Sequence, residues 1–190
     1  MDESLDVPTL TGEGLILRAW GLSDLELVRE ASVDEYIPLI TTVPSLYSET
    51  EGVAFVERQW GRAARRAGYP FVIVREGDGR PVGNVGLWLG NLGQGRASLG
   101  YWIAPSARGQ GLSALALRMV SSWALQELRV PRLELYVEPW NSASVRTAEK
   151  AGYVREGLLR SWQEVGDQRR DMYMYALIND GADTSCLQGT

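Results

Sequence analysis

The 190-residue chain has no histidine, one cysteine (Cys186) and one lysine (Lys150). Without histidine there is no Ser-His-Asp hydrolase, no imidazole proton shuttle and no HExxH metal site. Cys/His zinc clusters are excluded with them, so no metal is expected. Acid–base work must fall to Asp, Glu, Tyr, Ser or water. A lone thiol makes no internal disulfide, and Cys186 sits in a polar segment (GADTSCLQGT) that reads as an incidental surface position. Arginine supplies the rest of the 19 basic residues. No apolar run reaches the ~18 residues of a membrane span. The first residues, MDESLDVPTL, lack the basic and apolar regions of a signal peptide. A cytoplasmic protein with no membrane partner is expected.

What is present is ordinary for a globular domain: 45% apolar and 23% charged residues. The net charge of −5 and pI near 4.9 argue against nucleic acid and favour a cationic partner such as an amine or a basic peptide. Patterning predicts a strand at Leu15–Trp20, then a helix to about Asp34 opened by a Ser23/Glu26 capping box. Tyr36–Tyr47 reads as a loop or broken helix, and Ser48/Glu51 open a helix ending near Gly68. Strands follow at Tyr69–Arg75, Val82–Leu89 and Arg96–Ile103, separated by glycine-containing turns of hairpin length. A helix from about Gln110 to Glu127, a strand Arg132–Val137, a helix Ser142–Ala151 and a closing hairpin (Tyr153–Trp162, Arg169–Leu177) complete the order βααβββαβαββ. This is an α+β layout, a mixed and mostly antiparallel sheet of about seven strands with four helices. It spans residues 1–178, and 179–190 are expected to be a disordered tail.

The densest signal is Tyr101-Trp102-Ile103-Ala104-Pro105-Ser106-Ala107-Arg108-Gly109-Gln110-Gly111-Leu112-Ser113. It reads as a buried strand, a proline stop and a glycine turn opening directly into an apolar helix. Free amides and partial positive charge at a helix start suit a pyrophosphate. Gly109, Gly111 and Ala114 match GxGxxA, which would make a nucleotide-dependent oxidoreductase. However, Pro105–Arg108 intervene between strand and glycines, and the preceding strands form a meander rather than repeated βαβ units. No Gly-Lys-Ser/Thr closes a nucleoside-triphosphate loop. A ligand-free helix cap is a third reading.

Arg108-x-x-Gly111-x-Ser113 resembles the Q/R-x-x-G-x-G/A signature of the GNAT N-acetyltransferase superfamily, with Ser113 replacing Gly/Ala. The phrase LGYWIAPSARGQGL resembles its RimJ/RimL-like branch. A second phrase fits the same family: Asn141-x-x-Ser144, Glu149-Lys150-Ala151-Gly152-Tyr153 and Glu156-Gly157, with Gly166 and Asp171-Met172-Tyr173 closing it. The resemblance covers roughly residues 14–178.

It implies a single-domain fold that binds acetyl-CoA or another acyl-CoA as acyl donor. The fourth and fifth strands would splay after a bulge near Ile103. The diphosphate would lie on Arg108, Gly109, Gln110, Gly111, Leu112 and Ser113, with Trp102, Ile103, Asn141 and Ser144 also contacting the cosubstrate. A backbone N–H near Ile103 would face the thioester oxygen, and an amine would attack directly with no acyl-enzyme. The family's tyrosine proton donor is missing, because Ala148 occupies its position. The branch's serine makes Ser144 the candidate donor, a helix cap and a cosubstrate hydrogen bond being the other readings. Ser98 stands where many relatives place a strand glutamate, and Glu164 is the remaining candidate base, or else a solvated hairpin charge. Neutralising an α-amine at pH 7 costs roughly 1 kcal/mol against roughly 4.6 for a lysine, which favours a peptide N-terminus or a weakly basic small amine as acceptor. Of Trp20, Trp60, Trp88, Trp140 and Trp162, the pair Trp88 and Trp162 is expected at the acceptor site and the rest in packing. A homodimer is an expectation from relatives, and a non-catalytic CoA-binding module is the alternative function.

Overall fold

The segment GYPFVIVR is buried at every residue but its last, as a strand covered on both faces must be. In a computed structural model, which describes residues 5–179, it is the third of eight strands. The elements run β1 (Leu10–Gly12), β2 (Leu15–Ala19), α1 (Leu25–Ser32), α2 (Ile37–Ile40), α3 (Glu49–Ala64), β3 (Gly68–Arg75), β4 (Pro81–Trp88), β5 (Arg96–Ile103), α4 (Leu112–Gln126), β6 (Arg132–Val137), α5 (Ser142–Lys150), β7 (Val154–Val165) and β8 (Gln168–Ile178). They build one sheet ordered β1-β2-β3-β4-β5-β6-β8-β7. Every neighbouring pair is antiparallel except β5 and β6, which α4 connects as a crossover.

The expected α+β order holds, with one more strand and one more helix. The added strand, β1, has three residues, too few for an alternation to show, and reaches β2 through Glu13 and Gly14 at φ 56° and 73°. Two successive positive φ values suit the twist of a tight hairpin. The added helix, α2, is one turn with Pro38 in its first turn, within the segment expected to be a loop or broken helix.

The sheet divides two apolar layers. Leu17, Phe71, Leu99, Leu133 and Leu135 pack against Ala116, Leu117 and Val120 of α4, with Ala148 of α5 in the same layer. Trp20, Val72, Val74 and Trp102 pack on the opposite side against Val28 and Phe55 of α1 and α3. Strand alternation makes this division, since successive side chains of β5 point to opposite faces. The β7–β8 hairpin extends beyond these layers, with β7 exposed along almost its whole length. Its register slips twice, between Arg155 and Gly157 and between Leu159 and Gln163, and Ser161 there has φ 49°.

The helix starts separate the two expected caps. Ser48 Oγ accepts from the Glu51 N–H at 3.1 Å, capping α3. Ser23 does not cap α1. Asp24, 1% exposed, organises that entry instead, accepting from Gly21 N–H at 2.9 Å and from both terminal nitrogens of Arg18 at 2.9 and 2.8 Å. A carboxylate can satisfy three donors where a hydroxyl one residue earlier satisfies none. At the other end Asn179 is tied down through Pro131 and Leu125 carbonyls, at 2.9 and 2.8 Å, so order passes residue 178. Residues 180–190, with Cys186 and the rest of the expected tail, lie outside the described residues.

Asp24→Ala should therefore lower unfolding free energy by about 2 kcal/mol, leaving a half-buried guanidinium and a backbone donor unpaired. Ser23→Ala should stay within about 0.5 kcal/mol of the parent. Urea denaturation of the two variants checks the assignment.

Candidate active site

β5 and β6 begin side by side and then separate. Their pairing is confined to Arg96↔Arg132, Ala97↔Leu133 and Ser98↔Glu134. Beyond it β5 stays with β4 as far as Ile103, and β6 stays with β8 as far as Val137. Ala104 N–H donates to Val82 O at 2.9 Å, so antiparallel alternation turns the N–H groups of Ile103 and Tyr101 away from β4 and into the gap, beyond the last pair with β6. No register shift accompanies the splay on β5, contrary to the bulge expected near Ile103. The irregularity lies one strand away, where Val82 of β4 is skipped between the pairs Ile73↔Gly83 and Val74↔Pro81.

Glu134 closes the paired end of the wedge. It is 1% exposed, accepts from Arg132 Nε at 2.7 Å and Tyr136 Oη at 2.8 Å, and lies 3.5 Å from Arg96. Burial alone would raise its carboxyl, but these donors and the two guanidinium charges outweigh it and hold the group below the usual carboxylate range. The Tyr136 phenol responds in the opposite sense: burial, then the Glu134 carboxylate, pushes it up to about 12.

At the open end, Gly109 and Gly111 adopt φ 80° and 74°, and α4 begins without a side-chain cap. Among the described residues, none accepts from the N–H groups of Gly109, Gln110, Gly111, Leu112 or Ser113. A Cβ on either glycine would meet nothing within 4 Å, so these residues are required by conformation and leave open space in front of the amides. Alternating left-handed glycines at a helix start make an anion-binding concavity, and the donor set fits a diphosphate.

The side chains of the turn have other tasks. Leu112 is buried at 8% exposure and anchors α4 in the core. Ser113 Oγ lies 3.1 Å from Thr147 Oγ1, tying α4 to α5, which is what a serine adds at a Gly/Ala position. Gln110 accepts from Arg75 at 3.3 Å. Arg108 is already engaged: it lies 2.7 Å from Asp34, and its Nε donates to Ile103 O at 3.2 Å. Asp34 also accepts from Tyr36 and Ile37 N–H at 3.0 and 2.8 Å, capping α2. Trp102 reaches the cleft but packs mainly against Trp20, with ring centroids 6.2 Å apart.

Gap and glycine turn open into one cleft of about 1380 Å³. Every expected site residue lines it except Trp162. Asn141, not Ser144, caps α5, accepting from Ser144 N–H at 3.0 Å. The Ser144 hydroxyl does not cap α5, and it lies by the Tyr101 phenol. Tyr101 Oη donates to Ser144 O at 3.2 Å, and the fully buried Ala148 packs one turn on. Glu164 lies exposed on β7 opposite Arg169. Trp162 stacks on Tyr136, rings 5.7 Å apart, and so backs the wall rather than forming it. Trp88 lies across Gly86 and Gly100, which face each other on β4 and β5. A Cβ on Gly86 would come within 2.2 Å of its ring, and one on Gly100 within 3.5 Å.

Sequence reasoning missed Tyr36, Glu138 and the site position of Trp140. Glu138 is 3% exposed, accepts from Tyr36 Oη at 2.6 Å and lies 3.7 Å from Arg170. Tyr36 packs edge-on against Trp140 at 5.0 Å. No local pattern links positions 102 apart; the only available signal was Glu138 at the end of an apolar strand. Among the described residues no group of three or more His, Cys, Asp or Glu could hold a metal ion.

Gly111→Ala should cost about 1 kcal/mol in thermal or urea unfolding, a conformational penalty with no clash to relieve. Burial pushes the Asp34 carboxyl up, but the Ile37 and Tyr36 amides and then Arg108 outweigh it and hold it below its ordinary value. Its contribution to stability is thus complete above the unfolded value of about 4 and is lost as pH falls through the lower native one. Tm of Asp34→Asn should depend less on pH below about 4 than Tm of the parent.

Comparison with known proteins agrees with this geometry. The family model described as acetyltransferase (GNAT) domain matches residues 14–154. YjcK of Bacillus subtilis (strain 168), which carries N-acetyltransferase in its name, is 33% identical over 112 residues, 58% of this chain and 62% of that protein. The ribosomal-protein-serine acetyltransferase of Escherichia coli (strain K12) is 30% identical over 84 residues, 44% of this chain and 47% of that one. The chain thus spans less than two thirds of the length of either relative. Mycobacterium smegmatis RimJ, solved in complex with CoA-disulfide, superposes with a TM-score of 0.77 at 24% identity, covering 97% of this chain and 90% of RimJ. At that identity the likeness is one of fold. The lone parallel crossover β5-α4-β6, in a sheet otherwise antiparallel among the described residues, is likewise not the repeated βαβ unit of a dinucleotide fold. Motifs, splayed strands, glycine turn and family model converge: the chain belongs to the acetyltransferase (GNAT) family.

Proposed function

We propose that the protein is an acyl-CoA-dependent N-acyltransferase, acetyl being the group transferred, acting on a primary amine of a peptide N-terminus or a small molecule. One observation carries the reading: an unpaired strand edge leads directly from a cradle of five free amides. A long cosubstrate with a diphosphate at one end and an extended amide-containing arm matches both parts. Family membership and the CoA found with RimJ support the same choice.

Bound acyl-CoA supplies a thioester carbonyl open to direct attack by an amine. The residues of this chain hold and orient. The amides at Gly109–Ser113 neutralise the diphosphate, and Arg108 adds charge with the guanidinium donors that Asp34 and Ile103 leave free. The N–H groups of Tyr101 and Ile103 offer donors along the arm and toward the oxygen on which charge develops. The Ser144 hydroxyl, beside the Tyr101 phenol, returns a proton to the departing thiolate. Of the carboxylates lining the cleft, Glu164 or Glu138 accepts the amine proton, directly or through water. With no cysteine among the described residues and no histidine in the chain, a covalent acyl-enzyme has no ready nucleophile. No helix among the described residues is long and apolar enough to cross a membrane, and we place the reaction in the cytoplasm.

Thiol release from acetyl-CoA should be amine-dependent with the wild type. Ser144→Ala should lower kcat about a hundredfold while leaving CoA binding by calorimetry unchanged within about threefold. Binding of CoA with no turnover for any amine would make the protein a CoA-binding module. Protection against melting by NAD(P) and none by CoA would remove the assignment altogether.

A further inference from the structure

The cleft crosses the sheet. Leu99, Tyr101 and the α4 turn lie on one face, whereas Trp88, Gly100, Asn84 and Glu138 lie on the α1–α3 face where an acceptor would enter. On that second face a guanidinium of the cleft wall stands without a counterion. Arg62 of α3 lines the cleft with its guanidinium carbon 4.8 Å above the Trp88 ring. Two of its five N–H groups have protein acceptors, Gln59 Oε1 at 2.7 Å and Thr42 Oγ1 at 3.5 Å. Among the described residues no carboxylate pairs with it.

Its surroundings add to the imbalance. Arg58 and Arg65 lie four residues before and three after it on the same helix face, where like charges repel. Burial first, then those two guanidinium groups, pushes Arg62 below its ordinary value. Arg58 Nε is itself buried without an acceptor. A protein with net charge −5 thus gathers three arginines on one face of α3, and Arg62 is the one that lines the cleft. Gln59, 1% exposed, fixes the fork from behind, donating to Phe55 O at 3.1 Å while accepting from Arg62. The guanidinium is therefore oriented, desolvated on one side and unneutralised.

We infer that Arg62, seated on Trp88, is an anion subsite for the acyl acceptor, so that the preferred substrate is a compact amine that also carries a carboxylate or a phosphate. The inference rests on the acyltransferase reading for its amine. Trp88 connects the two ends, since its ring lies near Gly100 on the splayed part of β5 and carries the Arg62 guanidinium 4.8 Å from its centroid. The buried Glu138, which lines the same cleft, supplies the opposite sign for an ammonium group before it is deprotonated. A dipolar acceptor matches this arrangement, and an amine lacking an anion leaves Arg62 unpaired.

Two pairs of acceptors test it: β-alanine against β-alaninamide, and O-phosphoethanolamine against ethanolamine. For each, kcat/KM is compared between wild type and Arg62→Gln, which cancels differences in amine reactivity. The variant should lose about tenfold or more on the anionic members, mainly through KM, and change less than about twofold on the neutral ones. The pair with the larger loss identifies carboxylate or phosphate as the recognised group. An equal loss on all four compounds, or none, overturns the subsite. If no amine is turned over, the acyltransferase reading fails, and calorimetric titration of the same compounds into CoA-saturated protein decides the subsite alone. There the anionic members should bind wild type at least about tenfold more tightly than the variant, and equal or absent binding overturns it. Should Arg62→Gln fail to fold, Arg62→Lys replaces it, with several-fold weaker handling of the anionic members expected because an ammonium lacks the planar fork.

Discussion

The structure depends on three residue pairs where two parallel strands meet before parting. Arg96↔Arg132, Ala97↔Leu133 and Ser98↔Glu134 hold β5 to β6, and everything distinctive in the fold lies beyond them. A sheet rarely leaves a row of backbone donors unpaired in its middle, because each buried and unsatisfied group is costly. Here the separation is stable because each strand has a full partner on its other side. β4 accompanies β5 to Ile103, and β8 accompanies β6 to Val137. Glu134, with two arginines and a tyrosine, fastens the closed end. The opening is thus an architectural feature, not a local defect.

From that opening the rest follows. α4 must cross from β5 to β6, so its N-terminus arrives at the mouth of the gap with its amides directed outward. The two positive-φ glycines let the chain turn there without a side chain intruding. On the other face, glycines at 86 and 100 leave the flat patch that Trp88 occupies, so small residues shape both the donor and the acceptor halves. Arg108 and Asp34 link those halves, because the carboxylate that holds the arginine also caps α2 and positions Tyr36 near Glu138.

Much of this was legible in the sequence because the signals were local. Periodicity located the longer helices and the seven longer strands, and the run from Tyr101 to Ser113 revealed the cradle. Ser144 and Asn141 were found through the family resemblance, and the capping role of Asn141 was not foreseen. Other features were not legible, for physical reasons. β1 is shorter than one full alternation. Ser23 looked like a cap because hydroxyls favour helix starts, yet the buried Asp24 next to it is the stronger acceptor. Trp162 sits where register slips have shifted β7, so counting along the strand misplaced it relative to the cleft. Tyr36–Glu138 and Arg62–Trp88 join distant segments whose proximity only folding creates.

The slips in β7 have a consequence for the molecule among its copies. A twelve-residue strand at a sheet border, carrying Val154, Leu158 and Trp162 on its surface, would ordinarily invite another chain to add itself by backbone pairing. Bulges at Glu156 and around Ser161 break the run of donors and acceptors into short pieces, and Asp171 and Arg169 of β8 hold the bulge in place through the Ser161 amide and carbonyl. The irregular hairpin is thereby a guard against fibrillar growth, leaving the protein's boldest edge unfit as a template.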